Sequence, residues 1–175
     1  MTDTAVNTVE IPAAGTYRVD AAGSTLTFRT RHLFGLAPVR GRFRLRSGHL
    51  TVADPVAASS ALAAIDAGSV DTGNAARDRT VRSGQYLAAE EFPDITFAST
   101  GLERVDGRWV LRGTLTVRGA EAPLDVHVDA ARVTGSRLAV RAHTRVDRYA
   151  VGVTAMKGMA GRYLDLRLEL AAARG

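Results

Sequence analysis

The side chains best suited to acid–base or metal chemistry in this sequence are four histidines, His32, His49, His127 and His143, and there is no cysteine. The lack of cysteine excludes thiolate zinc sites, cysteine nucleophiles and disulfide staples, and leans towards a reducing compartment. Val126 and Val128 flank His127, and Ala142 precedes His143. In extended chain both histidines therefore share a face with Asp125, Asp129 and Arg141, and should point to solvent. His49 follows Gly48, which leaves its face unset. Only His32 continues an apolar face, that of Leu26, Phe28 and Thr30. No two histidines stand at metal-ligand spacing and no carboxylate cluster joins them, so no metal is expected. Neither a nucleophile–base arrangement nor a glycine-rich phosphate loop stands out, and the chain is read as a non-enzyme without a cofactor.

Charge supplies the remaining candidates. The formal net charge is +5, carried mainly by arginine. This admits an acidic partner, and equally a simple coding bias. Arg40, Arg42, Arg44 and Arg46 alternate with Val39, Gly41, Phe43 and Leu45, and with Arg29 and Arg31 they should form one basic stripe. Sheets that bind single-stranded nucleic acid interleave aromatics with such charges. Here the aromatics lie on the opposite parity, so no nucleic acid partner is expected. A solvated face is the default reading, and weak contact with an anionic membrane the alternative. Arg77, Asp78, Arg145 and Asp147 are further polar candidates.

The elements that must position these residues are strands. Period-two alternation recurs almost everywhere after Gly15. It is cleanest at the end, where Leu164, Leu166, Leu168 and Leu170 alternate with Asp165, Arg167 and Glu169. Ile95, Phe97 and Ser99 share one face; so do Trp109, Leu111, Gly113, Leu115 and Val117; so do Leu124, Val126 and Val128; so do Leu138, Val140 and Ala142. Asp106-Gly107 and Gly135-Ser136 read as hairpin turns, and residues 33–38 as a hairpin loop. Residues 57–68, rich in alanine, fit a helix or a strand, and the flanking turn residues keep a strand plausible. Residues 74–82 read as a short surface helix beginning near Asn74. About eight amphipathic strands with too little helix to cover them must curl on themselves, so the fold class is all-β, an antiparallel barrel with a short helix near one end. The interior of such a barrel is either filled by side chains or wide enough for one small ligand.

At 175 residues, with 46% hydrophobic and 23% charged, the chain suits a single well-buried domain. Residues 1–14 are expected to be a flexible N-terminal tail and residues 15–175 the barrel. No basic start leads into an apolar run, and no apolar stretch approaches the ~20 residues that span a bilayer. A cytoplasmic location with no integral membrane segment is expected, and a homodimer is left open.

An ordered set of motifs carries a resemblance. Val19-Asp20, Ser24 to Phe28, His32-Leu33 and Val39-Arg40-Gly41-Arg42-Phe43 come first. Ser69 to Gly73, Arg77-Asp78, Val81-Arg82-Ser83 and Phe92 to Ser99 follow. Gly113 to Gly119, Ala122-Pro123-Leu124, Arg145 to Tyr149 and Gly152 complete the set. Together, from about Tyr17 to Leu170, they resemble the YceI-like family. Tyr86-Leu87-Ala88 departs from the more aromatic and acidic run usual there. Many members are periplasmic or secreted, and the expectation of no signal for this sequence departs from that as well.

The resemblance implies an extended lipocalin-like barrel that binds polyisoprenoids or related long-chain amphiphiles in its pore. The pore candidates, by parity, are Phe28, Thr30, Phe43, Phe97, Ser99, Trp109, Leu115, Val126, Val140 and Leu166. Small inward residues (Thr30, Gly41, Ser99, Gly113 and Ala142) are expected to leave volume unfilled. A head group at the mouth would meet His32, Arg77 or Arg145, the arginines contacting a phosphate or quinone oxygen; alternatively they pair with a carboxylate and fix the helix over the barrel end. Residues 156–161, with two methionines, read as an apolar flap or as ordinary loop packing. The function expected is a non-catalytic carrier of an isoprenoid or quinone-like lipid. The alternatives are an accessory of quinone or isoprenoid redox metabolism or stress response acting on a bound quinone, and a ligand-free structural module.

Overall fold

A computed structural model describes residues 8–32 and 35–175. Leu33 and Phe34 of the expected hairpin loop, and residues 1–7 of the expected tail, lie outside the described residues. The strands are β1 (Gly15–Val19), β2 (Thr25–His32), β3 (Ala37–Phe43), β4 (Leu45–Val52) and β5 (Ser60–Asp66). After the helix α1 (Ala75–Arg82) come β6 (Asp94–Val105), β7 (Arg108–Val117), β8 (Ala120–Thr134), β9 (Arg137–Asp147) and β10 (Tyr163–Arg174). The alanine-rich segment is thus mainly strand, bracketed by single 3-10 turns at Val56–Ala58 and Ala67–Ser69. Pro38, expected in the loop, is in β3 opposite Arg31, where a residue without an N–H is tolerated at a sheet edge.

Every strand pairing is antiparallel, and the order β1-β4-β5-β6-β7-β8-β9-β10 closes through β10 onto β1. Strands β1 and β2 follow one another along the same edge of β10, which meets Val19 at Ala172 and Thr25 at Glu169. In the same way β3 pairs with β2 and β4 with β1. Ten strands therefore fill eight positions of one up-and-down barrel. Two-residue turns join β6 to β7 at Asp106-Gly107 and β7 to β8 at Arg118-Gly119, both residues of each having positive φ, which the twist of a tight hairpin requires. The long connections, residues 67–93 and 148–162, gather at one end of the barrel, where β2 ends and β3 begins.

Alternation puts the apolar residues inside, and two clusters sit at the two ends. At the end carrying α1, Ala67, Ile95, Leu115, Val117, Val151 and Val153 pack with Tyr86 and Leu87. At the other, Tyr17, Val19, Ala131, Leu138 and Ala172 pack together. Residues 8–13, expected to belong to the tail, are docked here. Glu10 N–H donates to Ala131 O (2.9 Å), Ala131 N–H to Thr8 O (3.1 Å), and the buried Tyr17 hydroxyl to Ala13 O (2.7 Å).

Candidate functional site: an apolar pore with one loop-covered mouth

Between the two clusters the interior is hollow. An upper chamber of about 380 Å³ lies under α1 and the 148–162 loop, and a lower one of about 240 Å³ reaches the docked N-terminal segment. Leu26, Ile65, Leu115, Val146 and Leu166 belong to the walls of both, so the two chambers are neighbours along one tube. Phe28, Thr30, Phe43, Leu115 and Leu166 line the upper chamber. Phe97, Trp109, Val126 and Val140, with Leu115 and Leu166, line the lower one. Ser99 is not among the lining residues: it sits beside a bulge between Ser99 and Gly101, and its hydroxyl accepts the Ala61 N–H (2.8 Å).

The inward glycines do a different job from the one expected. A Cβ on Gly41 would overlap the ring of Phe28, its cross-strand partner, lying 2.7 Å from Cε1. One on Gly113 would overlap the ring of Phe97 and lie 2.7 Å from Ala98 O. The rings occupy the space the glycines vacate. Volume is gained indirectly, because a phenyl ring laid flat on the wall does not stand across the bore. Phe28 also meets Phe43, ring centroids 5.4 Å apart and tilted by 41°.

The upper mouth is built around a residue the parity argument passed over. Even-numbered positions of β9 face inward, from Leu138 to Thr144, and Arg148 continues that parity just past the strand. It is 6% exposed. Its guanidinium donates to three carbonyls of the covering loop: Nε to Gly161 O (2.7 Å), Nη1 to Val153 O (2.8 Å) and Nη2 to Ala160 O (3.1 Å). The rings of Tyr149 and Tyr86 lie 5.0 Å and 5.7 Å from its Cζ. Arg148 thereby fastens the loop over the bore. At the loop's base, Arg162 grips Asp147 with two hydrogen bonds, Nε to Oδ1 (3.0 Å) and Nη2 to Oδ2 (2.9 Å). That contact, more than the Tyr149 N–H, holds the Asp147 carboxyl below its ordinary value, against a smaller opposing effect of burial.

His32 and Arg77 both reach the upper chamber's wall. His32 is half-buried and bridges to Ala160 of the loop. Arg77 stands in the first turn of α1, capped by the Asn74 side chain, and donates to Thr72 Oγ1 (2.8 Å) and Thr72 O (3.1 Å). The buried Asp78 accepts from the same threonine's N–H (2.9 Å) and hydroxyl (2.6 Å), so Thr72 couples the helix to the rim. Arg145 is a correction. It faces outward on β9, pairs with Asp165 (Nε to Oδ1, 2.7 Å) and does not reach the pore, because odd positions of that strand point to solvent. The loop at 156–161 does border the chamber, through Met156, Met159, Ala160 and Gly161.

Outside, the arginine comb is not one basic stripe. Arg42 pairs with Asp71 (3.1 Å), Arg46 with Asp94 (2.5 Å) and Asp66 (3.4 Å), and Arg44 stands 3.9 Å from Asp66. His127 and His143 stack on the outer face, centroids 5.0 Å apart, with His143 bound to Asp129 (2.8 Å). Among the described residues no three His, Asp or Glu side chains converge as a metal site.

A closed antiparallel meander with an apolar bore beneath a fastened loop defines a lipocalin-like barrel. The chain belongs to the YceI-like family, whose domain model matches residues 17–172. A UPF0312 protein of Vibrio cholerae is 28% identical over 167 residues, covering 90% of this chain and 86% of the relative. One from Shewanella baltica is 35% identical over 123 residues, 67% of this chain and 63% of the relative. Among solved structures, BcnA of Burkholderia cenocepacia superposes with a TM-score of 0.77 at 21% identity, covering 89% of this chain and 99% of that one. A polyisoprenoid binding domain from Saccharophagus degradans, implicated in plant cell wall breakdown, gives 0.69 at 17% identity, covering 91% and 98%.

Proposed function

We propose that this chain holds one long-chain isoprenoid, or a similar amphiphilic lipid, inside its barrel and carries it without transforming it. The observation that carries the reading is the tube of two adjoining apolar chambers of about 380 and 240 Å³. Its walls offer hydrocarbon along nearly their whole length, with His32, Arg77 and Arg148 at the upper rim. The match to a solved polyisoprenoid binding domain supports the same class of ligand. Each methylene taken from water contributes ~0.8 kcal/mol, so about fifteen supply ~12 kcal/mol, which after an association cost of ~4 kcal/mol leaves ~8 kcal/mol, on the scale of a micromolar Kd.

The test is organic extraction of protein purified from its own host, with mass spectrometry of what it releases. Stoichiometric recovery of a prenyl-chain lipid is the expected result. The chain has one tryptophan, and it lines the lower chamber, so added solanesol should also change Trp109 fluorescence saturably. No released lipid together with no response to solanesol overturns the reading.

A further inference from the structure

The upper mouth carries two surface features that a water-facing rim does not need. Leu36 is 83% exposed at the end of the β2–β3 loop, and Met156, which also borders the upper chamber, is 53% exposed. The two segments lie together. His32 bridges Ala160, and Gly35, Pro38, Gly158 and Ala160 line one outer hollow. Lys157 follows Met156, its ammonium 5.2 Å from the Tyr149 ring, Arg31 stands opposite Pro38 beside the tip, and Arg29 and Arg40 stand two positions further down β2 and β3. Arg29 and Arg40 are directly opposed across β2 and β3, a like-charge pairing that costs stability. Arg29 stands opposite Asp165 on β10 and shares that carboxylate with Arg145, which bonds it, and Arg31 bonds only the Gly35 carbonyl (3.2 Å). Among the described residues Arg40 has no carboxylate partner. The lower half of the same comb is neutralised by Asp66, Asp71 and Asp94, so the comb's excess of arginine over carboxylate lies towards the mouth, where Asp165 alone faces Arg29. The opposite end is covered by the docked residues 8–13.

We infer that this tip is a docking surface for an anionic lipid bilayer, which it meets with Leu36 and Met156 inserted and Arg29, Arg31, Arg40 and Lys157 on the head groups. Apolar insertion and basic attraction add in such interfacial binding, and neither has to be strong alone. Docked this way, the loop-covered mouth faces the membrane, so a lipid passes between bilayer and bore without crossing water. That consequence rests on the carrier reading; the docking itself does not.

Vesicle flotation tests it, with phosphatidylcholine alone and with phosphatidylglycerol added, at low and at physiological salt. The protein should float only with the anionic vesicles, and less at higher salt. Arg29→Glu/Arg40→Glu should weaken partitioning by at least about tenfold, at roughly fivefold per basic residue lost. Leu36→Asp/Met156→Asp should weaken it comparably, with the circular dichroism spectrum unchanged. Arg44→Glu/Arg46→Glu should stay within about twofold of the parent at physiological salt, because at ~3.3 Å per residue these positions lie roughly 13–20 Å further down the strand than Arg40, beyond the ~8 Å Debye length. Absence of flotation by the parent overturns the inference. So does loss in the Arg44/Arg46 variant equal to that in the Arg29/Arg40 variant, which would make net charge the cause. If the Arg29/Arg40 variant instead self-associates and still floats, the arginines protect a sheet edge and the inference falls. Solanesol binding in detergent is read separately: its survival in variants that no longer float separates docking from the pore, and its absence in the parent counts against the carrier reading alone.

Discussion

Replacing Gly41 by alanine adds one methyl group where Phe28 already lies. The new Cβ would stand 2.7 Å from Phe28 Cε1, closer still to Cζ, and 3.0 Å from the Asp71 carbonyl oxygen. The cheapest relief is for the ring to leave the wall, and the free side is the upper chamber of about 380 Å³. Overpacking of this kind costs about 1–3 kcal/mol, offset in part by the ~0.5–1 kcal/mol gained when alanine replaces glycine in a strand. The barrel should therefore still fold. A ring turned into the bore displaces about three methylenes of a bound chain, which at ~0.8 kcal/mol each is ~2.4 kcal/mol, or about a 50-fold loss of affinity. Titration of solanesol, followed by Trp109 fluorescence, measures it. Adding Phe28→Leu to Gly41→Ala should recover most of the loss, a coupling that a double-mutant cycle isolates. A folded Gly41→Ala protein with parental affinity, or no recovery in the double variant, would refute the reasoning that the glycine keeps the bore open by parking the ring.

Arg148→Met should cost about 3 kcal/mol or more, because three loop carbonyls lose a charged donor, and should lower Tm by roughly 10 °C. Limited proteolysis should then cut within residues 148–162 before it cuts the barrel, and resistance equal to the parent's would show that the loop is held by something else. The Asp147 carboxyl titrates below its ordinary 3.8 in the folded protein, chiefly through Arg162. Its contribution to stability is complete above the unfolded value and is lost as pH falls through the depressed folded one. Asp147→Asn should thus lower Tm at pH 6 and shrink the difference in Tm between pH 6 and pH 3. An undiminished difference would place the acid sensitivity elsewhere.

Strand parity is a local property, and it was legible wherever a strand runs without interruption. The alternation of Leu164 to Leu170 and of Ile95 to Phe97 identified inward faces that the barrel keeps. The tight turn at Asp106-Gly107 and the Asn74 cap were equally readable, since each depends on residues a few positions apart. Closure followed from a balance of surfaces: apolar strand faces had almost no helix to cover them. Bulges break parity without a mark in composition, as at Ser99/Gly101 and Val128/Ala130; Ser99, just before the first, keeps the inward side opposite Gly113, but its hydroxyl is taken by the Ala61 N–H.

What only the tertiary structure decided are the contacts between segments distant in sequence. Phe28 lies on Gly41 because β2 and β3 pair in that register, and so a glycine that looked like vacant space is a seat for a ring. Arg42, Arg44 and Arg46 meet Asp66, Asp71 and Asp94 from β5, the turn beyond it and β6, which turns a uniform basic comb into charge left over at one mouth. Arg145 and Arg148 stand three residues apart and look alike in the sequence. Parity and the end of β9 send the first to Asp165 outside and the second beneath the loop. The apolar interior follows from alternation, which each strand carries within itself. Whether that interior is filled or hollow, and where it opens, depends on how strands and loops meet across the barrel.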